Sequence, residues 1–398
     1  MFLSRVPRRT GIRARPRARR LVLALVAVLA LLLGLLAPTS AEAGPVWKRF
    51  ATAGTPSGQQ VYWQSMSATG PTDVWAAGYR VVSLPGVTEF RTWVQHWDGT
   101  TWTTVSTPDV ESAPAVNLLN RVAAASPTAA WAVGSYQRSD STWAPLVLRW
   151  DGSVWSRSDI PVPSASQSYL QSVAATSPTD VWAVGTYRDA GSFTDRPWST
   201  HFDGSTWSTV TVPRPAVCVG DSLAVADVAS AAGRVVLSGS CGVTGGTTSG
   251  FVAELVGGAW RSRGTIPHVD GVAGLAIASG GSLLVGADTA GNTAVVIYRR
   301  TAGAWVAGPA LTVGRSTTIE NLAVGGGVAR VDVVGSVTAT DNGVSPLLAT
   351  WTGGGGWVTS TSRVSGFARA LAEVPGGGVW AAGVDYQAAG GFFLRRAG

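Results

Sequence analysis

Residues 177–185 read Ser-Pro-Thr-Asp-Val-Trp-Ala-Val-Gly, and residues 201–207 read His-Phe-Asp-Gly-Ser-Thr-Trp. Ser177 to Asp180 is turn chemistry, in which proline sets φ and the aspartate side chain can bond nearby backbone. Val181 to Gly185 is continuously apolar and short, the pattern of a strand covered on both faces. Trp198 to Phe202 makes a third strand, Asp203-Gly204 a hairpin turn and Trp207 to Val212 an outer strand. Ahead of them, Gln171 to Ala175 alternates polar and small apolar residues, as suits an inner strand crowded near an axis. One such stretch predicts four antiparallel strands.

The stretch recurs. Apolar strands ending at Gly78, Gly134, Gly185, Gly239, Gly286, Gly335 and Gly383 are separated by 56, 51, 54, 47, 49 and 48 residues. Each of the first six is followed by a tryptophan after a glycine-bearing turn: Trp102, Trp155, Trp207, Trp260, Trp305 and Trp357. The seventh tryptophan stands at the other end of the chain, as Trp47. A period near fifty residues without helical patterning predicts an all-β, seven-bladed β-propeller, and the displaced tryptophan predicts that an N-terminal strand from Val46 to about Ala53 closes the last blade. Blades stack only on their neighbours, so 355 residues form one domain, residues 44–398.

Residues 1–43 read as a signal peptide. Eight arginines lie in the first twenty residues, an apolar run spans Leu21 to Ala37, and Ala41-Glu42-Ala43 supplies a small-x-small site for cleavage after Ala43. The expected location is secreted or extracellular, with an uncleaved N-terminal segment as the sole route to membrane anchoring. The formal charge of +7 does not imply nucleic acid: of 30 basic residues eight belong to the leader, and of 23 acids one does, leaving 22 of each in the mature chain. A monomer is expected.

PTDVWAAG, PTAAWAVG and PTDVWAVG, followed by HWDGTTW, RWDGSVW and HFDGSTW, resemble the repeats of secreted bacterial propellers and, more distantly, kelch repeats. The pattern departs from kelch in lacking a double glycine after the second strand. It also puts His96, Arg149 and His201 where kelch has a tyrosine seven positions before the tryptophan. The resemblance therefore implies shape and no particular activity.

Up-and-down strands sort the polar residues onto two faces. Asp73, Asp180, Asp98, Asp151 and Asp203 share one face and are read as turn formers; the Ser-x-Asp-x-Gly spacing of calcium-type Asp boxes is missing. The other face carries Tyr79, Arg80, Tyr136, Arg138, Tyr187 and Arg188 after the second strands, and Trp198 at the third, all taken as candidate ligand-binding residues. His96 and His201 read as a repeat feature, while His268 beside Asp270 is a weak acid–base candidate. HExxH, CxxC, EF-hand and GxSxG patterns are missing, so neither catalytic residues, metal nor cofactor is expected. Cys218 and Cys241 fall on one face near the fourth blade and are expected to form a disulfide in an exported protein. Two functions fit: a non-catalytic scaffold for a glycan or protein ligand, and a carbohydrate-active hydrolase or lyase, for which fold analogy is the sole support.

Overall fold

The computed structural model describes residues 46–397 except 111–113, 164–166, 193, 217, 220–222, 243–247, 268, 279, 290–293, 315, 325–329, 353–355 and 361–363. The proposed leader and His268 lie outside the described residues. Twenty-eight strands form seven four-stranded antiparallel sheets, one per blade. Blade three is typical, with inner strand Gln167–Ser177, second strand Asp180–Arg188, third strand Arg196–Phe202 and outer strand Trp207–Val210. In the seventh blade the outer strand is Lys48–Phe50, paired antiparallel with the third strand Ala388–Arg396 in the register Lys48↔Arg395, Arg49↔Leu394, Phe50↔Phe393. The N-terminal segment thus closes the ring and covers a sheet edge that would otherwise be open.

The repeat glycine does not end its strand. The second strands run on to Leu84, Gln137 and Arg188 in blades one to three, so the tyrosines read as loop residues are strand residues. The glycine faces a β-bulge in the inner strand. Between Leu170 and Ser172 the inner strand of blade three gains an extra residue, and the same shift occurs between Trp63 and Ser65, Leu119 and Arg121, Val225 and Asp227, Val272 and Gly274, Ile319 and Asn321, and Ala368 and Ala370. The bulged backbone swings towards the second strand, so a Cβ on Gly185 would lie 1.9 Å from the Tyr169 carbonyl oxygen. On the other side of the same glycine the third strand places a large apolar residue: Trp93, Leu146, Trp198, Phe251, Leu347 or Phe392. In blade five the residue in this register is Ala287, opposite Val272, one position beyond Gly286.

The hairpins follow their sequences. In blades one to three, Trp97↔Trp102, Trp150↔Trp155 and Phe202↔Trp207 flank four-residue loops in which the aspartate Oδ1 accepts two backbone N–H bonds, as at Asp203 from Ser205 and Thr206. These bonds hold the Asp151 carboxyl at about 2, the Val154 N–H first among them. Gly99, Gly152 and Gly204 have φ near +100° and lie against Thr72, Thr128 and Thr179 of the inner-to-second-strand turns. Blades four and five instead use two-residue turns, Gly257-Gly258 and Ala302-Gly303, with positive φ throughout.

Asp73 and Asp180 do more than shape turns. Each accepts a 2.7 Å contact from a histidine Nε2, His96 and His201 respectively. Those imidazoles lie on the second-strand tryptophans, Trp75 at 4.3 Å and Trp182 at 4.2 Å between ring centroids. Arg149 over Trp131 and Arg395 over Trp380 fill the same position with a guanidinium. The histidines are therefore a repeat feature, as their spacing implied.

Candidate functional site at the channel mouth

The bulges aim one residue per blade at the axis. Arg369, the bulged residue of blade seven, donates to Glu320 of blade six at 3.1 Å and to Gln64 of blade one at 3.0 Å, and those two are the bulged residues of their own blades. One residue further, Arg121 of blade two reaches Ser172 of blade three and Asp227 of blade four. Asp227 also accepts the Ser172 hydroxyl at 2.6 Å and the Leu275 N–H of blade five at 3.0 Å. Side chains spanning three blades can meet only beside the axis, so the channel holds two charge-neutral clusters.

Above this belt, on the face carrying the second-to-third-strand loops, the residue preceding each bulge pair forms a ring: Tyr62, Leu118, Tyr169, Ala224, Gly271, Thr318 and Phe367. Aromatics occur in blades seven, one and three, and small residues in blades four to six. Tyr62 stacks on Tyr79 at 5.2 Å and 12°, and Tyr79 meets Phe90 at 6.0 Å. Tyr169 lies 5.8 Å from Trp143, and Phe367 lies 6.1 Å from the exposed Tyr386 with the Arg369 guanidinium 5.1 Å over its ring. Burial pushes the Tyr79 phenol up, partly offset by Arg369. The result is a half-buried aromatic crescent over a polar axis.

The residues singled out from sequence divide between this crescent and the blade junctions. Tyr79 belongs to the crescent. Arg80 sits with its guanidinium 4.8 Å over Trp93 and bonds Gln59. Tyr136 and Tyr187 take the strand position of Arg80, two after the glycine, and are half-buried against the junctions of blades one with two and two with three. Arg157 covers the Tyr136 ring at 5.1 Å. Arg138 braces its own loop through Thr142 Oγ1 and the Trp143 carbonyl, both at 3.3 Å. Arg188 forms two bonds to Asp195 at 2.5 and 3.3 Å. Trp198 is 2% exposed, because it is the large apolar residue packed over Gly185, and is corrected to a core residue. It forms the floor of a groove of about 420 Å³ at the upper edge of blade three, beside Tyr187, Arg196 and Arg214.

Cys218 and Cys241 are joined, with Cα atoms 5.6 Å apart, and Cys241 lies within the second strand Arg234–Gly242. The bond ties the loop leading into blade four to that blade's sheet, next to the same groove.

Sequence reasoning missed Tyr62, Tyr169 and Phe367. The signal was present, since each stands sixteen residues before its repeat glycine, Gly78, Gly185 and Gly383.

The fold and the axial site define a seven-bladed propeller with a polar channel and a one-sided aromatic mouth. Solved structures with a similar fold include one described as YCF48 bound to D1 peptide, with 14% identical residues and a TM-score of 0.54 over 91% of this chain and 99% of that one. YCF48 from Cyanidioschyzon merolae shares 13% identity and a TM-score of 0.52 over 88% of this chain and 98% of its own. No family model matches the chain, and no curated protein does.

Proposed function

We propose that this protein is a non-catalytic binding scaffold, exported by its N-terminal leader and working outside the cytoplasmic membrane, that holds a protein ligand as an extended peptide at the channel mouth. The observation that carries this reading is the aromatic crescent over the Arg369–Glu320–Gln64 cluster, on one side of the ring only. Apolar rings beside fixed donors and acceptors suit the alternating side chains and backbone amides of a peptide. A sugar stacks on a free ring face, and Tyr62 and Tyr79 each commit one face to the other. The structural neighbour YCF48 carries a D1 peptide, which supports a peptide over a glycan. The carbohydrate-active alternative gains nothing at the axis, where Asp227 and Glu320 are tied to Arg121 and Arg369.

The test is to select peptides from a displayed random library on the exported propeller, with a glycan array in parallel. Selected peptides should lose roughly 1–3 kcal/mol of affinity when Tyr62 and Phe367 are both replaced by alanine, and little when Tyr136 and Tyr187 are. Retention of glycans alone, or unchanged peptide binding in the Tyr62/Phe367 variant, contradicts the proposal.

A further inference from the structure

On the face opposite the mouth, a groove of about 840 Å³ lies at the closure seam. Its charged lining is Lys48 of the closing strand, Arg395 of the third strand, Arg330 of blade six and Glu373 of the inner strand; the uncharged lining includes Phe50 and the glycine turn 376–378. The groove exists because of how the ring closes. In blades one to three an Asp-Gly loop joins the third and outer strands and folds onto the inner-to-second-strand turn, with Gly99, Gly152 and Gly204 against Thr72, Thr128 and Thr179. The third and outer strands of blade seven come from opposite ends of the sequence, so no hairpin connects them. The corresponding turn has φ of +70° and +89° at Gly376 and Gly378, and Gly376-Gly377 stand where blades one to three put Pro-Thr.

We propose that this groove docks an acidic turn of a partner protein, which takes the place that an Asp-Gly hairpin fills in the other blades. Charge selects the occupant. Neither Lys48 nor Arg395 has a carboxylate partner among the described residues, whereas Arg330 leans on the buried Asp332 at 3.3 Å. Arg395 is held in place by the Trp380 ring and by a 3.1 Å bond to the Gly377 carbonyl, so its charge is positioned rather than free. Glu373 is the one carboxylate among the described lining residues, set against the cations Lys48, Arg395 and Arg330. The chain's own leader is a poor occupant, since its eight arginines would meet the same cations. Bare glycines along one wall let a partner backbone approach closely.

The probe is a labelled, cyclised peptide with an Asp-Gly-Thr-Thr turn flanked by glutamates, read by fluorescence anisotropy against the full exported chain. A version with every acid replaced by its amide serves as control. The acidic peptide should bind, more weakly at high salt, and the amide version should not. Lys48→Glu should weaken binding about two- to fivefold, and Glu373→Gln should tighten it by a similar factor. Lys48 is exposed and Glu373 half-buried, and the opposite signs separate a lost charge from a damaged fold. Equal binding of the amide peptide, indifference to both variants, or displacement by inorganic phosphate at low concentration would each overturn the assignment to an acidic turn. The Tyr62/Phe367 variant should bind this probe normally, which keeps the result independent of the mouth.

Discussion

Four of the seven blade junctions are wedged by a pair of tryptophans and three are not. Trp102 meets Trp380, Trp155 meets Trp75, Trp207 meets Trp131 and Trp260 meets Trp182, each at 5.2–5.4 Å with ring planes 78–90° apart. In every case the outer-strand ring of one blade stands edge-on to the second-strand ring of the preceding blade, the arrangement aromatic quadrupoles favour. In blades four to six the second-strand tryptophan is replaced by Val236, Leu284 and Asp332. Trp305 and Trp357 then pack on aliphatic neighbours and are only half-buried. At the closure the chain substitutes charge: Asp332, 1% exposed, binds Arg396, accepts the Thr350 hydroxyl at 2.6 Å, and Arg396 lies 5.3 Å over the Trp47 ring. One repeat position thus carries three kinds of cohesion, tryptophan pair, aliphatic packing and buried charge, and the aromatic crescent at the mouth lies chiefly on the tryptophan side.

The closure should be the most sensitive to a single change. Removing one partner strands a buried charge, so Asp332→Ala should cost about 3–5 kcal/mol in denaturant unfolding. The double variant Asp332→Leu with Arg396→Met should recover most of that loss. A single-variant loss below about 1 kcal/mol would show the cluster to be wet and the comparison misdrawn.

The wedge itself comes next. Trp155→Ala deletes a 5%-exposed ring and should cost about 3–5 kcal/mol. Trp305→Ala removes a half-buried ring with no aromatic partner among the described residues and should cost about 1–2 kcal/mol. Equal losses would abolish the distinction between junctions.

Acid offers a smaller effect in the aliphatic region. Glu254 stands where His96 and His201 stand on their tryptophans, and the Arg234 hydrogen bond, reinforced by Arg263 against the cost of burial, holds its pKa at about 2. A carboxyl lowered on folding stabilises above its unfolded pKa and loses that contribution as pH falls through the folded one. Melting temperature should therefore decline between about pH 5 and pH 2, and Glu254→Gln should flatten part of that decline.

Period, strand order and closure were legible in the sequence because turns and tryptophans recur at fixed spacing. The meaning of the glycine was not. Gly78, Gly134 and Gly185 look like strand ends, yet they answer a bulge in a different strand, a relation across sixteen residues that local patterning does not reveal. That misreading displaced the site: Tyr136 and Tyr187 became loop residues, and Trp198 became a surface residue although it is a buried strand residue in register with Gly185. Tyr62, Tyr169 and Phe367 passed unnoticed because an aromatic in an alternating inner strand reads as core, and only the bulge turns the position towards the axis. The disulfide was legible because the expected export and a shared face near the fourth blade together pointed to it.

Native-state hydrogen exchange across all blades tests the division of the ring most directly, since sub-global openings report the weakest junctions without any mutation. Blade five, bounded on both sides by junctions with neither a tryptophan pair nor the buried Asp332–Arg396 cluster, should open first. Amides of its strands Leu283–Thr289 and Val295–Thr301 should exchange well before those of Ala129–Gln137 and Asp180–Arg188 in blades two and three. Uniform protection around the ring, or earlier exchange in blades two and three, would contradict the account.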